Sequence, residues 1–415
     1  MAFAMLLLQP ATRHRPSHSR IGIAIAGGGP IGGMYELGVL RALEQAIDGL
    51  DLTALDVYVG VSSGAFLAAS LANRIDTEQM CRIFITGDAN DVRFDPDTFV
   101  RPALREYRQR LAAAPRLVRD WWRRMLKDPT SLHLGEAVSS LGALVPTGLF
   151  DNGKIGHFLH QAYTRHGRSD DFRDLKRTLY IVAVDIDNGE VVCFGKPGWD
   201  DVPISRAIQA SSALPVLYPP VEIRGRQFVD GALRRTMHAS LAFDEGIDLF
   251  FGINPLVPVD ASKAQHSNGR RPDRLASGGL PMVLSQTFRT LLQSRVQVGM
   301  QRHAQQYNDI DQIVFEPSPK DGDMFFTNAF SYGARADVCD FAYGATLADL
   351  RERYDVLAPL LARHGLVLRR DILDDPTHSL DTSLAAAPRR ITEATERLRR
   401  ALDDVDAALK ARGTG

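Results

Sequence analysis

"IAIAGGGPIGGMYELGVLRAL", from Ile23 to Leu43, is the stretch that decides the fold. It opens as an apolar run and then carries five glycines within Gly27–Gly33. After them Leu37, Leu40, Leu43 and Ile47 recur at steps of three and four, which is the period of an amphipathic helix. The reading is a strand over Ile21–Ala26, a glycine turn, and a helix over Met34–Ile47. Glycine lets backbone N–H groups approach a ligand with no Cβ in the way. A helix N-terminus adds partial positive charge at the same place. The stretch therefore predicts a negative group at the turn, either a phosphate or an oxyanion that exists only during a reaction.

The next turn separates these two. "YVGVSSGAF", Tyr58–Phe66, follows a short apolar strand and precedes a helical run from Ser63. Gly60-Val61-Ser62-Ser63-Gly64 fits G-x-S-x-G, which between a strand and a helix is a nucleophile elbow. Gly60 and Gly64 keep the flanks of the tight turn small, and Ser62 presents its hydroxyl at a helix N-terminus. A dinucleotide turn wants G-x-G-x-x-G and an acidic residue ending the next strand. Here that strand ends in the serine, and Asp56 lies before it. The backbone N–H groups around Gly28, Gly29 and Gly32 then suit an oxyanion. The β-α-β-α opening predicts an α/β fold with a mostly parallel sheet between helical layers, its site at the carboxyl ends of the strands.

A serine nucleophile needs a base. "RQFVDGALRR" is a strand ending in Asp230-Gly231-Ala232, and a carboxylate there can take the serine proton if burial raises its pKa. None of the eleven histidines follows a late strand in a comparable turn, although spacing alone leaves a Ser–His–Asp triad through His238 open. Asp185 and Asp187, in "VDIDNGE", read as a hairpin into "VVCF".

The rest of the chain bounds the function. Net charge is −1, which gives no reason to expect a nucleic acid partner. Three scattered cysteines form neither a metal site nor a disulfide framework, and no cofactor or metal is expected. Residues 1–20 read as a frayed extension whose apolar run is too short to span a membrane, and no longer apolar run follows. Further strands are read at 179–184, 190–194, 227–230, 247–253 and 312–317, and a helix at 281–306. Residues 259–279 read as a polar loop, 371–389 as a linker and 390–415 as a charged C-terminal helix.

The glycine turn, the G-x-S-x-G elbow and the D-G-A turn, in this order, resemble the patatin-like phospholipases. "GLFDNGKI" (148–155), "AVDIDNGEVV" (183–192) and "AIQASSALPVLYPPVEIRGRQFVDGA" (207–232) follow the same family's course, so the resemblance spans about residues 21–255 of a domain read as 21–370. It implies a three-layer α/β/α fold and a serine lipid acyl hydrolase of phospholipase A or esterase type. By resemblance Ser62 is the nucleophile, Asp230 the general base, and Gly27, Gly28, Gly29 and Gly32 the oxyanion turn. Two departures stand out. The family's basic residue before the last glycine is replaced by Ile31, with one extra residue before the helix, and "LRRTMHAS" follows the D-G-A turn. An acyltransferase using the same acyl-enzyme is the alternative, as is a lipid-binding homologue that has lost turnover.

Two segments concern partners. Residues 101–127 hold nine Arg and Lys against two acids, with Trp121 and Trp122 among apolar residues at helical spacing. A basic face bearing Trp suits an anionic lipid surface, and a solvated cap over the core is the other reading. In 390–415, Ile391, Leu398 and Val405 lie seven apart, which fits either self-association or packing on the body. The expected partner is a lipid or acyl ester, and the expected location is cytoplasmic, peripheral at the membrane.

Overall fold

The computed structural model describes residues 5–11, 19–87, 102–103, 147–260, 279–319 and 332–384. The opening stretch forms strand β2 (Ile21–Ile25) and helix α1 (Gly29–Ala46), after strand β1 (Met5–Gln9). The expected helix start was Met34; α1 begins five residues earlier, so three of the five glycines lie within its first turns. Pro30 explains part of this, because its fixed φ suits the start of a helix and its missing N–H is one that a first turn does not use. Gly32 donates its amide to the Gly28 carbonyl at 3.1 Å, closing that first turn.

The remaining strands follow in chain order. They are β3 (Ile47–Asp48), β4 (Val57–Gly60), β5 (Thr178–Asp185), β6 (Val191–Phe194), β7 (Val221–Ile223), β8 (Arg226–Asp230), β9 (Leu249–Ile253), β10 (Asp311–Glu316) and β11 (Val367–Leu368). The described residues form a nine-stranded sheet in the order β1-β10-β9-β2-β4-β5-β8-β7, with β6 also on β5. The five central strands, β10 to β5, are parallel, and the flanking pairs are antiparallel. Strands β3 and β11 pair separately.

Burial follows the pleat. Ile23, Ile25, Tyr58, Phe251 and Phe315 face one side of the sheet, where α1, helix α2 (Ser63–Ala72) and the helix Tyr332–Glu352 cover them. Ala24, Val57, Val59, Phe250 and Val314 face the other side, against Met237 and Phe243. Strands apolar on both faces belong in a parallel sheet covered on both sides. Each side chain such as Leu37 or Leu40, fully buried in α1, contributes about 1.5–3 kcal/mol by leaving water.

Two expectations are corrected here. The frayed extension is not frayed at Met5–Gln9, which pairs with β10 across some three hundred residues of sequence. The linker read from 371 is, as far as Leu384, packed against the body. The helices Arg370–Leu373 and Leu380–Leu384 bury Leu373 and Leu380, and Arg41 of α1 donates to the Ser383 carbonyl at 2.6 Å. The 101–127 segment, apart from Pro102 and Ala103, and the 390–415 helix lie outside the described residues.

Candidate active site

Register brings the three motifs into one row. Ile25 of β2 faces Gly60 of β4, so Gly27 and Ser62, each two residues further, stand level with one another. Gly60 in turn faces Ile181 of β5, which puts Ser62 level with Ala183. Ala183 is the residue that Asp230 faces from β8. The glycine turn, the serine and the aspartate are thus aligned across the end of the parallel strands.

The elbow is tight. A Cβ on Gly60 would lie 2.4 Å from Ala65 Cα, and one on Gly64 would lie 2.2 Å from the Ala26 carbonyl oxygen. Ser62 itself adopts φ 53° and ψ −121°, a conformation costly for any residue with a side chain. It occupies the N-cap of α2 but makes no capping bond with its side chain. The hydroxyl instead favours the charged form of the Asp230 carboxyl. The Ser62 amide donates to Ser211 Oγ at 2.9 Å. Ser62 is buried, with 7% of its surface exposed.

Asp230 ends β8 and starts the 3-10 turn Gly231–Leu233, with Oδ1 accepting from the Ala232 amide at 2.8 Å. The carboxyl is buried, and that burial pushes its pKa up to about 6 even though the Ala232 amide and the Ser62 hydroxyl favour the charged form. An aspartate so placed is a better base near neutral pH than an exposed one.

The glycine turn stands against both. A Cβ on Gly27 would lie 2.9 Å from Ser62 Cβ, and one on Gly28 would lie 2.6 Å from Pro255 Cγ. The first turn of a helix leaves its leading amides without an intrahelical acceptor. In α1 these belong to Gly28, Gly29 and Ile31, since Pro30 has none. Gly32, expected as a fourth member of the oxyanion turn, spends its amide on Gly28, so its part there is its small size against Pro255. Ile31, which stands where a basic residue was expected, is buried within α1.

Sequence reasoning missed the groups that hold this turn. Pro255 follows Asn254, whose Nδ2 donates to Glu316 Oε1 at 2.6 Å. Arg289 donates to the Pro255 and Val257 carbonyls at 3.1 and 3.2 Å. These bonds join β9, β10 and the helix Gly279–Gln306, and no local pattern announces them.

His238 does not bridge the pair. Its Nε2 meets the Gly231 carbonyl at 3.3 Å, and burial holds its pKa down at about 4, so the ring is neutral. The described residues hold another Ser–His–Asp chain, in which Ser19 Oγ lies 2.8 Å from His364 Nδ1 and His364 Nε2 lies 2.7 Å from Asp311 Oδ2. It sits at the opposite end of the sheet, where β10 begins, and the Ala11 amide and Arg363 also bind Asp311. That arrangement fastens chain segments together, away from the row of Gly27, Ser62 and Asp230. Asp185 and Asp187 form the expected hairpin, in which Asp185 Oδ1 accepts the Asp187 amide at 3.0 Å. Among the described residues no group of three His, Cys, Asp or Glu side chains is placed to hold a metal ion, and no helix is long and apolar enough to cross a membrane.

A family model described as patatin-like phospholipase matches residues 23–243, more than half of the chain and all of the row above. A comparison with curated proteins gives no match. Among solved structures, the chain is similar to VipD from Legionella pneumophila, at 17% identity over 63% of this chain and 56% of that one, with a TM-score of 0.31. It is also similar to the type III effector protein ExoU, at 15% identity over 96% of this chain and 64% of that one, with a TM-score of 0.29. A third match is full-length ExoU in complex with SpcU, from Pseudomonas aeruginosa, at 14% identity over 94% and 76% of the two chains, with a TM-score of 0.28.

Proposed function

The chain belongs to the patatin-like phospholipase family, and from that premise we propose that it is a serine lipid acyl hydrolase working through Ser62 and Asp230. The observation that carries this reading is the alignment of Ser62 with a buried carboxylate, Asp230, whose pKa burial raises to about 6 and whose charged form the Ser62 hydroxyl favours.

In the proposed reaction an acyl ester lies with its carbonyl carbon over Ser62 Oγ and its carbonyl oxygen toward the start of α1. Ser62 Oγ attacks the carbon while its proton passes to Asp230. The tetrahedral oxyanion is met by the amides of the glycine turn, Gly28 and Gly29 foremost, and by the positive end of α1. Each such donor accounts for about 10²–10³ in rate in other acyl-transfer enzymes. Collapse expels the alcohol, which takes the proton back from Asp230. Water then attacks the acyl-enzyme, giving its proton to the same carboxylate; the bond from the acyl carbon to Ser62 Oγ breaks, Oγ takes that proton back from Asp230, and the free acid leaves.

The test is a screen of p-nitrophenyl esters and phospholipids with Ser62→Ala as control. The reading expects turnover by the parent and its loss in Ser62→Ala, since losing a nucleophile removes several powers of ten in rate. Turnover that survives Ser62→Ala contradicts it. Analysis of the products in the presence of a second alcohol separates hydrolysis from acyl transfer.

A further inference from the structure

The helix Ile204–Ser211 ends beside the dyad, and its last residue is fully buried. Ser211 Oγ accepts the Ser62 amide at 2.9 Å and donates to the Val182 carbonyl of β5 at 2.6 Å. Two residues on, the Ala213 carbonyl accepts the Asp230 amide at 3.1 Å. One short turn therefore holds the backbone of both members of the pair, and the hydroxyl in it also grips the strand that lies between them.

The need for a hydroxyl follows from the elbow. With φ at 53°, Ser62 has left the strand ladder, and it sits at the N-cap, where the helix offers its N–H no acceptor. A buried N–H without a partner is costly. The group that meets it must accept there and, to satisfy Val182, donate in the other direction. A hydroxyl does both at once; a methyl does neither, and a thiol does both weakly.

We infer that Ser211 is a positioning residue which, with the Ala213 carbonyl, sets the spacing and direction of Ser62 relative to Asp230. The inference rests on the Ser62–Asp230 reading. It also means that the Ser62 amide is already engaged, so the oxyanion is left to the glycine turn and the leading amide of α2.

The experiment compares Ser211→Ala, Ser211→Cys and Ser211→Thr with the parent and with Ser62→Ala. The readouts are kcat and KM on a soluble short-chain p-nitrophenyl ester, the rate of labelling by a fluorophosphonate, and thermal melting to select folded variants. A misplacement of about 1 Å at a reacting group costs about 100-fold in rate. Ser211→Ala and Ser211→Cys should therefore lose about 100-fold in kcat and slow in labelling to match, with KM within about twofold. Ser211→Thr, which keeps the hydroxyl, should stay within about threefold of the parent. A packing role reverses that order, because Cys conserves the volume and Thr does not. Parental kcat in Ser211→Cys, or a loss in Ser211→Thr as deep as in Ser211→Ala, overturns the inference and leaves the dyad standing. Turnover that survives Ser62→Ala overturns the dyad itself, and Ser211 with it.

Discussion

Asp230→Asn should abolish turnover and stabilise the protein at the same time. Burial raises the Asp230 pKa from 3.8 to about 6, so ionising it in place is costly. The shift of roughly two units, at about 1.4 kcal/mol per unit, amounts to ~3 kcal/mol. Below about pH 4 the folded and unfolded chains both keep the proton, and the group has no effect on stability. Between about pH 4 and 6 the unfolded chain releases a proton that the folded chain retains, so stability falls as pH rises, and above about pH 6 the whole ~3 kcal/mol is lost. Asparagine has the same shape, can still accept from the Ala232 amide, and carries no charge to desolvate. Urea denaturation of both proteins, followed by circular dichroism from about pH 4 to 8, measures the difference. The variant should gain on the parent by up to ~3 kcal/mol across that range, and the gain should level off above about pH 7. Any fixed offset from changed hydrogen bonding does not vary with pH, so the slope isolates the carboxyl. Parental hydrolysis should rise through about pH 6 over the same range as the base ionises. A difference in stability that stays flat with pH refutes the reasoning.

His238→Ala should cost about 1–3 kcal/mol by leaving the Gly231 carbonyl with one partner fewer, while kcat of the folded variant stays within a few-fold of the parent. If that kcat falls as far as in Ser62→Ala, a triad has to replace the dyad. The basic 101–127 segment makes a separate prediction, tested by vesicle sedimentation. Binding to anionic vesicles should weaken with salt, weaken when Trp121 and Trp122 become Ala, and weaken by about 1 kcal/mol per charge when Arg119, Arg123 and Arg124 become Gln. Parental binding by both variants contradicts a membrane role for the segment.

The fold class was legible because the stretch from Ile23 to Leu43 switches from strand to helix period across a glycine turn. The elbow was legible because its steric demand falls on two fixed positions, Gly60 and Gly64, and the Asp185 hairpin because Asn188 and Gly189 mark a turn. The start of α1 was misplaced because glycine has a poor helix propensity, and contacts distant in sequence, with Pro255 and α2, help hold Gly28–Gly33 in place. Strand β1 escaped notice because its evidence lies in β10, some three hundred residues away. Arg289 carries no local signal, and the stretch 207–232 that contains Ser211 gives no sign of which groups its hydroxyl meets. Their partners are set by how the helix Ile204–Ser211 and the helix Gly279–Gln306 lie on the sheet. Local chemistry is written in short patterns, whereas the groups that hold it steady are fixed by tertiary contact.

The central claim is that one serine is activated, and covalent mapping tests it most directly. The parent is treated with a fluorophosphonate, digested, and the adduct placed by mass spectrometry, because only an activated hydroxyl that can be reached reacts readily. The account predicts a single adduct on Ser62, absent from Ser62→Ala and strongly slowed in Asp230→Asn. An adduct on Ser19, Ser63 or Ser211, or ester hydrolysis by a protein that takes no adduct at Ser62, contradicts it.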